Sequence, residues 1–152
     1  MNSSYEAALG VCKRHADRLA WTMANLRSKF PLTADRMREL DDTELAVLDQ
    51  FSTRFAKLQD AMGTNLFPAV LELTKEQGNL AAFLDKLNRL EKIGAIPSTD
   101  NWLLLREMRN EFAHDYPDDP AIQSAILNKA YNLANDLLTV LGRIESFAKN
   151  YT

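Results

Sequence analysis

The chain has 152 residues, 46% hydrophobic and 26% charged, an ordinary globular composition with length enough for one buried core. Five Gly and five Pro leave too few turn formers for a sandwich or barrel, so an all-β architecture is excluded. The net charge of −3 means that a polyanion partner must be met by a local patch, because bulk attraction is absent.

Tyr5, Leu9, Cys12, Ala16, Leu19, Met23, Leu26 and Phe30 recur at alternating spacings of four and three, which predicts one long helix with one apolar stripe. Ser3 or Ser4 is positioned to cap its start, and Pro31 disfavours helical geometry at Phe30. Val11 and Trp21 add apolar surface beside the stripe, which suits a bundle helix better than a coiled-coil seam. Residues 32–40 read as a polar connector. A second helix begins at Asp41 or Asp42, with Glu44 interacting favourably with the helix dipole, and buries Leu45, Leu48, Phe51, Phe55, Leu58 and Met62. Gly63 is expected to kink or split it, with Asn65 capping a continuation that carries Pro68 in its first turn.

Gly78 closes that segment. Leu80, Phe83, Leu84, Leu87 and Leu90 mark a third helix that ends at Gly94, a natural left-handed cap. Ser98, Thr99 or Asp100 caps a fourth, with Trp102, Leu105, Met108 and Phe112 inward, and Pro117 forces its end. Asp119 before Pro120 starts a fifth, burying Ile122, Ile126, Leu133, Leu137, Leu141 and Ile144. The expected fold is all-α: a single-domain antiparallel up-and-down bundle of four main helices plus short ones.

One cysteine and two histidines supply neither a disulfide framework nor a Cys/His zinc cluster, so neither a metal nor a cofactor is expected. The longest uncharged run, residues 61–71, contains Gly63, Asn65 and Pro68, whereas a membrane span needs roughly 20 apolar residues. Residues 1–10 lack the basic-then-apolar order of a secretory signal. A cytoplasmic protein with no membrane partner is expected. Only residues 1–40 carry a basic excess, through Lys13, Arg14, Arg18, Arg27 and Lys29 on the first helix, with Arg36 and Arg38 beyond it. Such residues usually form a solvated face; Lys13, Arg14 and Arg18 are the candidates for contact with RNA phosphates.

Residues 106–117 (REMRNEFAHDYP) form the densest cluster of chemical groups in the chain. On an ideal helix with Leu105 as the core direction, Arg109 lies about 40° away, inside the apolar arc, and His114 about 180° away, facing outward beside Asn110. A guanidinium keeps its charge, so Arg109 needs a carboxylate, a backbone carbonyl or an anionic ligand. His114 titrates near neutrality and suits proton transfer. Leu103 and Leu104 add apolar surface on the outer side, the kind of face that meets a second chain. His15 and Cys12 share a helix face, but Cys12 lies in the buried stripe and no third catalytic partner is near in sequence. Asp118 and Asp119 read as helix-cap acids, and Trp21 and Trp102 as core or interface anchors.

Arg109, four intervening residues, His114, one residue and Tyr116, with Asn110 directly after the arginine, resemble the Arg-x4-His-x-Tyr signature of HEPN domains. The similarity is greatest to the toxin subunit of HEPN/minimal-nucleotidyltransferase toxin–antitoxin modules. The motif covers about 8 residues, and its context, near the end of the penultimate long helix of a bundle, agrees. The resemblance implies a metal-independent endoribonuclease acting as a homodimer on RNA, with tRNA one candidate substrate. It also implies silencing by a cognate minimal nucleotidyltransferase antitoxin. In that reading His114 is the general acid/base, Arg109 stabilises the phosphorane, Asn110 supports them, and Tyr116 is the site of adenylate addition. Arg109 and His114 lie about 140° apart on an ideal helix, so a composite cleft across a twofold axis is expected. Two alternatives accompany it: a non-catalytic binding subunit of a nucleotidyltransferase pair, and a helical interaction protein in which Arg109 and His114 are structural.

Overall fold

Short-range capping chemistry sets the helix boundaries, and a computed structural model describes residues 3–76, 82–113 and 118–152. Helix α1, Ser3–Leu26, is followed by one 3-10 turn, Arg27–Lys29. The expected connector contains a short helix, α2 (Ala34–Glu39), whose cap Thr33 accepts a hydrogen bond from the Arg36 N–H. Helix α3, Asp42–Ala61, starts in a reciprocal capping box: the Asp41 carboxylate accepts from the Glu44 N–H, and the Glu44 carboxylate accepts from the Asp41 N–H.

The α-helix is split at Gly63, as expected, and the split takes the form of a π-turn. The chain runs on through this turn, Met62–Leu66, into α4, Phe67–Leu73, and the Phe67 N–H bonds to the Met62 carbonyl five residues back. Asn65 makes no capping bond there. Pro68 has no N–H for the α-helical register, and a widened turn ahead of it accommodates the ring while the path continues. Helix α5, Phe83–Lys92, ends at Gly94 with φ +88°. Bonds from the Ala95 N–H to Leu90 and from the Gly94 N–H to Glu91 complete a Schellman cap. Ser98 caps α6 (Thr99–Phe112), and Asp119 caps α7 (Pro120–Ala148) with Pro120 as its first residue. The expected roles of Gly78, Leu80 and Pro117 lie outside the described residues.

The described residues contain helices and no strand, an all-α bundle. Helix α3 packs along α1 on one side and meets α6 on the other, while α7 lies against α1, α2 and α6. Leu19, Phe51, Phe55, Leu58, Leu105, Leu137 and Ile144 are fully enclosed at its centre. Asn128 of α7 accepts from the Leu32 N–H and donates to the Leu32 carbonyl, docking the segment before α2. Phe30 stacks on Tyr131 at 4.2 Å.

Several expected core positions lie elsewhere. Leu45, Leu84 and Ile122 are exposed, as is Trp21 at 50%, whereas Trp102 is buried. The buried stripe of α7 runs through Leu127, Ala130, Ala134, Leu137, Leu141 and Ile144, so Ile126 and Leu133 only flank it. Two fully buried alanines, Ala130 and Ala134, occupy the seam. Leu103 packs partly against the core, and Leu104 is 48% exposed.

Candidate functional site

Arg109 stands in the last turn of α6, one turn beyond the buried Leu105. Its partner is Asp60, near the end of α3. The guanidinium donates from Nε to Oδ1 at 2.9 Å and from Nη2 to Oδ2 at 2.8 Å, a bidentate fork that uses both carboxylate oxygens. The Arg109 side chain is 33% exposed and that of Asp60 48%, so the pair lies at the edge of the apolar arc. The bond to Asp60 pushes the arginine further above its usual range, with partial desolvation acting against it. Of the three ways to satisfy Arg109 that its helical position leaves open, a carboxylate is the one the fold supplies.

An open groove of about 350 Å³ runs beside the pair, lined by Ser52, Thr53, Ala56 and Lys57 of α3 and by Arg109, Phe112 and Ala113 across from them. Phe112, one of the lining residues, meets the buried Phe55 edge-on at 5.5 Å. Asn110 is exposed next to it on α6. His114 and Tyr116, the other two motif residues, lie outside the described residues. Five guanidinium N–H donors less the two held by Asp60 leave three on Arg109 for another acceptor.

The first-helix cations divide into two settings. Lys13 is paired with Glu145 of α7 at 3.0 Å. Arg14 and Arg18 are exposed, with no ion pair among the described residues. Between α1 and α3, Arg54 donates from Nη1 to His15 Nδ1 at 2.9 Å, which makes Nδ1 the acceptor and the imidazole neutral. Burial lowers the His15 pKa below its usual 6.5, and the charges of Arg54, Lys57 and Arg14 lower it further. Lys57 thus belongs both to this cationic cluster and to the groove beside Arg109.

Arg54, Lys57 and Asp60 carry no local motif; only the need of Arg109 for a counter-charge anticipates Asp60. Cys12 is fully buried and pushed up to about 12 by burial, which keeps it a thiol and removes it as a nucleophile. Among the described residues no three His, Cys, Asp or Glu side chains converge as a metal-ligand set, and no helix is long and apolar enough to cross a membrane. No family model, curated protein or solved structure matches the chain.

Proposed function

We propose that the chain is a HEPN-type endoribonuclease, the toxin of a toxin–antitoxin pair, which cleaves RNA without a metal at a site shared by two copies. The observation that carries this reading is the sequence spacing of Arg109, Asn110, His114 and Tyr116, the first two in the last turn of α6 in an all-α bundle. In the reaction the ribose 2′-oxygen attacks the adjacent phosphorus, the P–O5′ bond breaks, and a 2′,3′-cyclic phosphate and a 5′-hydroxyl result. His114 takes the proton from the 2′-hydroxyl or delivers one to the leaving oxygen, and Arg109 stabilises the added negative charge on phosphorus with the donors that Asp60 leaves free. Asn110 orients the phosphate or the imidazole.

Arg14, Arg18 and Lys57 supply a positive approach on a molecule of net charge −3, where placement of charge matters more than its sum. A nucleotidyltransferase partner adds adenylate to Tyr116, and negative charge at the cleft repels RNA.

The purified chain incubated with total RNA in EDTA should produce fragments with cyclic-phosphate ends, and His114→Ala should abolish them. Absence of cleavage, or equal cleavage by His114→Ala, overturns the reading. The bidentate Asp60–Arg109 fork favours one competing reading, a helical interaction protein in which Arg109 is a strut between α3 and α6. In that case Arg109→Ala changes thermal stability and no RNA-directed activity exists to lose.

A further inference from the structure

On the other side of Asp60 lies a second groove, of about 370 Å³, between the end of α3, the π-turn and the helices α5 and α6. It is lined by Gln59 at the end of α3, by Gly63 and Thr64 of the π-turn, and by Phe83, Lys86 and Arg106 of α5 and α6. Gln59 is 4% exposed and its amide makes no hydrogen bond among the described residues, but the amide atoms keep a small contact with solvent at the groove they line. An amide that reaches solvent only where it borders a groove can find its partner in a ligand. Behind the groove the buried Trp102 Nε1 is also without a partner, with the indole beside Gly63.

The charge is equally unbalanced. Asp60 is consumed by Arg109 through both oxygens, so it does not neutralise the groove's cations. Lys86 and Arg106 form no ion pair among the described residues, and the Arg106 guanidinium lies 5.0 Å over the Phe83 ring, which holds it in place without cancelling its charge. Two uncompensated cations select a dianion over a carboxylate. A volume at the small end of ligand sites selects a compact molecule. The π-turn, a feature often found at functional sites, brings Gly63 and Thr64 to the groove's edge.

We propose that this groove binds a small phosphorylated molecule, its phosphate held by Lys86 and Arg106 and its polar, uncharged part hydrogen-bonded to the Gln59 amide. The inference does not rest on the ribonuclease reading and survives or fails separately from it.

Calorimetric titration of the full chain with ribose 5-phosphate, inorganic phosphate and ribose tests it. Saturable binding of ribose 5-phosphate is expected, with inorganic phosphate weaker by about tenfold and ribose giving none. Lys86→Met and Arg106→Gln should each weaken ribose 5-phosphate by about tenfold or more, the usual loss for a charge-assisted hydrogen bond, and Lys149→Met on the far terminus should not. Gln59→Leu should weaken it comparably while the melting temperature changes little, because the amide that is removed has no hydrogen-bond partner in the fold to lose. Gly63→Ala gives a second, fold-preserving check: its added carbon meets Trp102 at 3.5 Å, an ordinary contact, and narrows the groove. No saturable binding of ribose 5-phosphate, binding that the Lys86, Arg106 and Gln59 variants leave unchanged, or equal affinity for the two phosphates overturns the proposal.

Discussion

Helix α3 presents a charged contact on each flank, and the two are built differently. Toward α6, Asp60 takes two hydrogen bonds from Arg109, so charge is matched and the guanidinium orientation is set. Toward α1, Arg54 meets the imidazole of His15, with Lys57 and Arg14 also acting on the ring. Here charge is unmatched, and the imidazolium form of His15 is disfavoured first by burial and then by these cations. The matched flank is suited to hold a group still. The unmatched flank keeps a positive field on the surface beside it, where an anion is attracted and a cation is not.

The largest effect is expected where both flanks are lost together. Phe55 is fully buried between them and touches Phe112, so Phe55→Ala should cost about 3–5 kcal/mol in chemical denaturation. A loss below about 1 kcal/mol would mean that α3 is not the shared wall of both seams. Asp60→Asn breaks only the matched contact. Because that pair is well exposed, the stability loss should be about 1 kcal/mol or less. Under the ribonuclease reading, cleavage should fall roughly ten- to hundredfold, through misorientation of Arg109, with substrate affinity little changed. An unchanged cleavage rate would show that the fork is not what positions the guanidinium.

The smallest effects belong to the unmatched flank. Arg54→Met should raise the His15 pKa measured by NMR titration, but only part of the way to its usual 6.5, because burial is the larger cause of the depression. Full restoration would make Arg54 the dominant cause instead. The folded state binds the His15 proton less readily than the unfolded chain, so His15 stabilises fully above about pH 6.5, and this contribution is lost as pH falls from there through the folded-state pKa. The slope of stability against pH in that window should flatten in His15→Leu; an unchanged slope assigns the proton uptake to another group.

Helix ends were legible because their chemistry is confined to about one turn. Asp41 with Glu44, Ser98, Asp119 with Pro120, and Gly94 act within their own segments. Periodicity located the core faces of α1 and α6, where Cys12, Leu19, Trp102, Leu105 and Met108 are buried as expected. It failed at Leu45, Leu84 and Ile122, since an apolar residue at the rim of a stripe is buried only if a neighbouring helix covers that rim. The interruption expected at Gly63 is present as a π-turn between α3 and α4 with Pro68 in the first turn of α4, but the cap expected from Asn65 is absent.

The amino-acid sequence by itself determined that this chain is helical, roughly where its helices begin and end, and that Arg109 requires an opposite charge. Tertiary structure alone decided that Asp60, 49 residues away, provides it, that Arg54 presses on His15, and that Gln59 and two unpaired cations share a groove. The physical reason is range. Capping and helical periodicity act across a few neighbouring residues, whereas an ion pair or a cleft depends on the rotation and approach of packed helices, to which side chains distant along the chain contribute together.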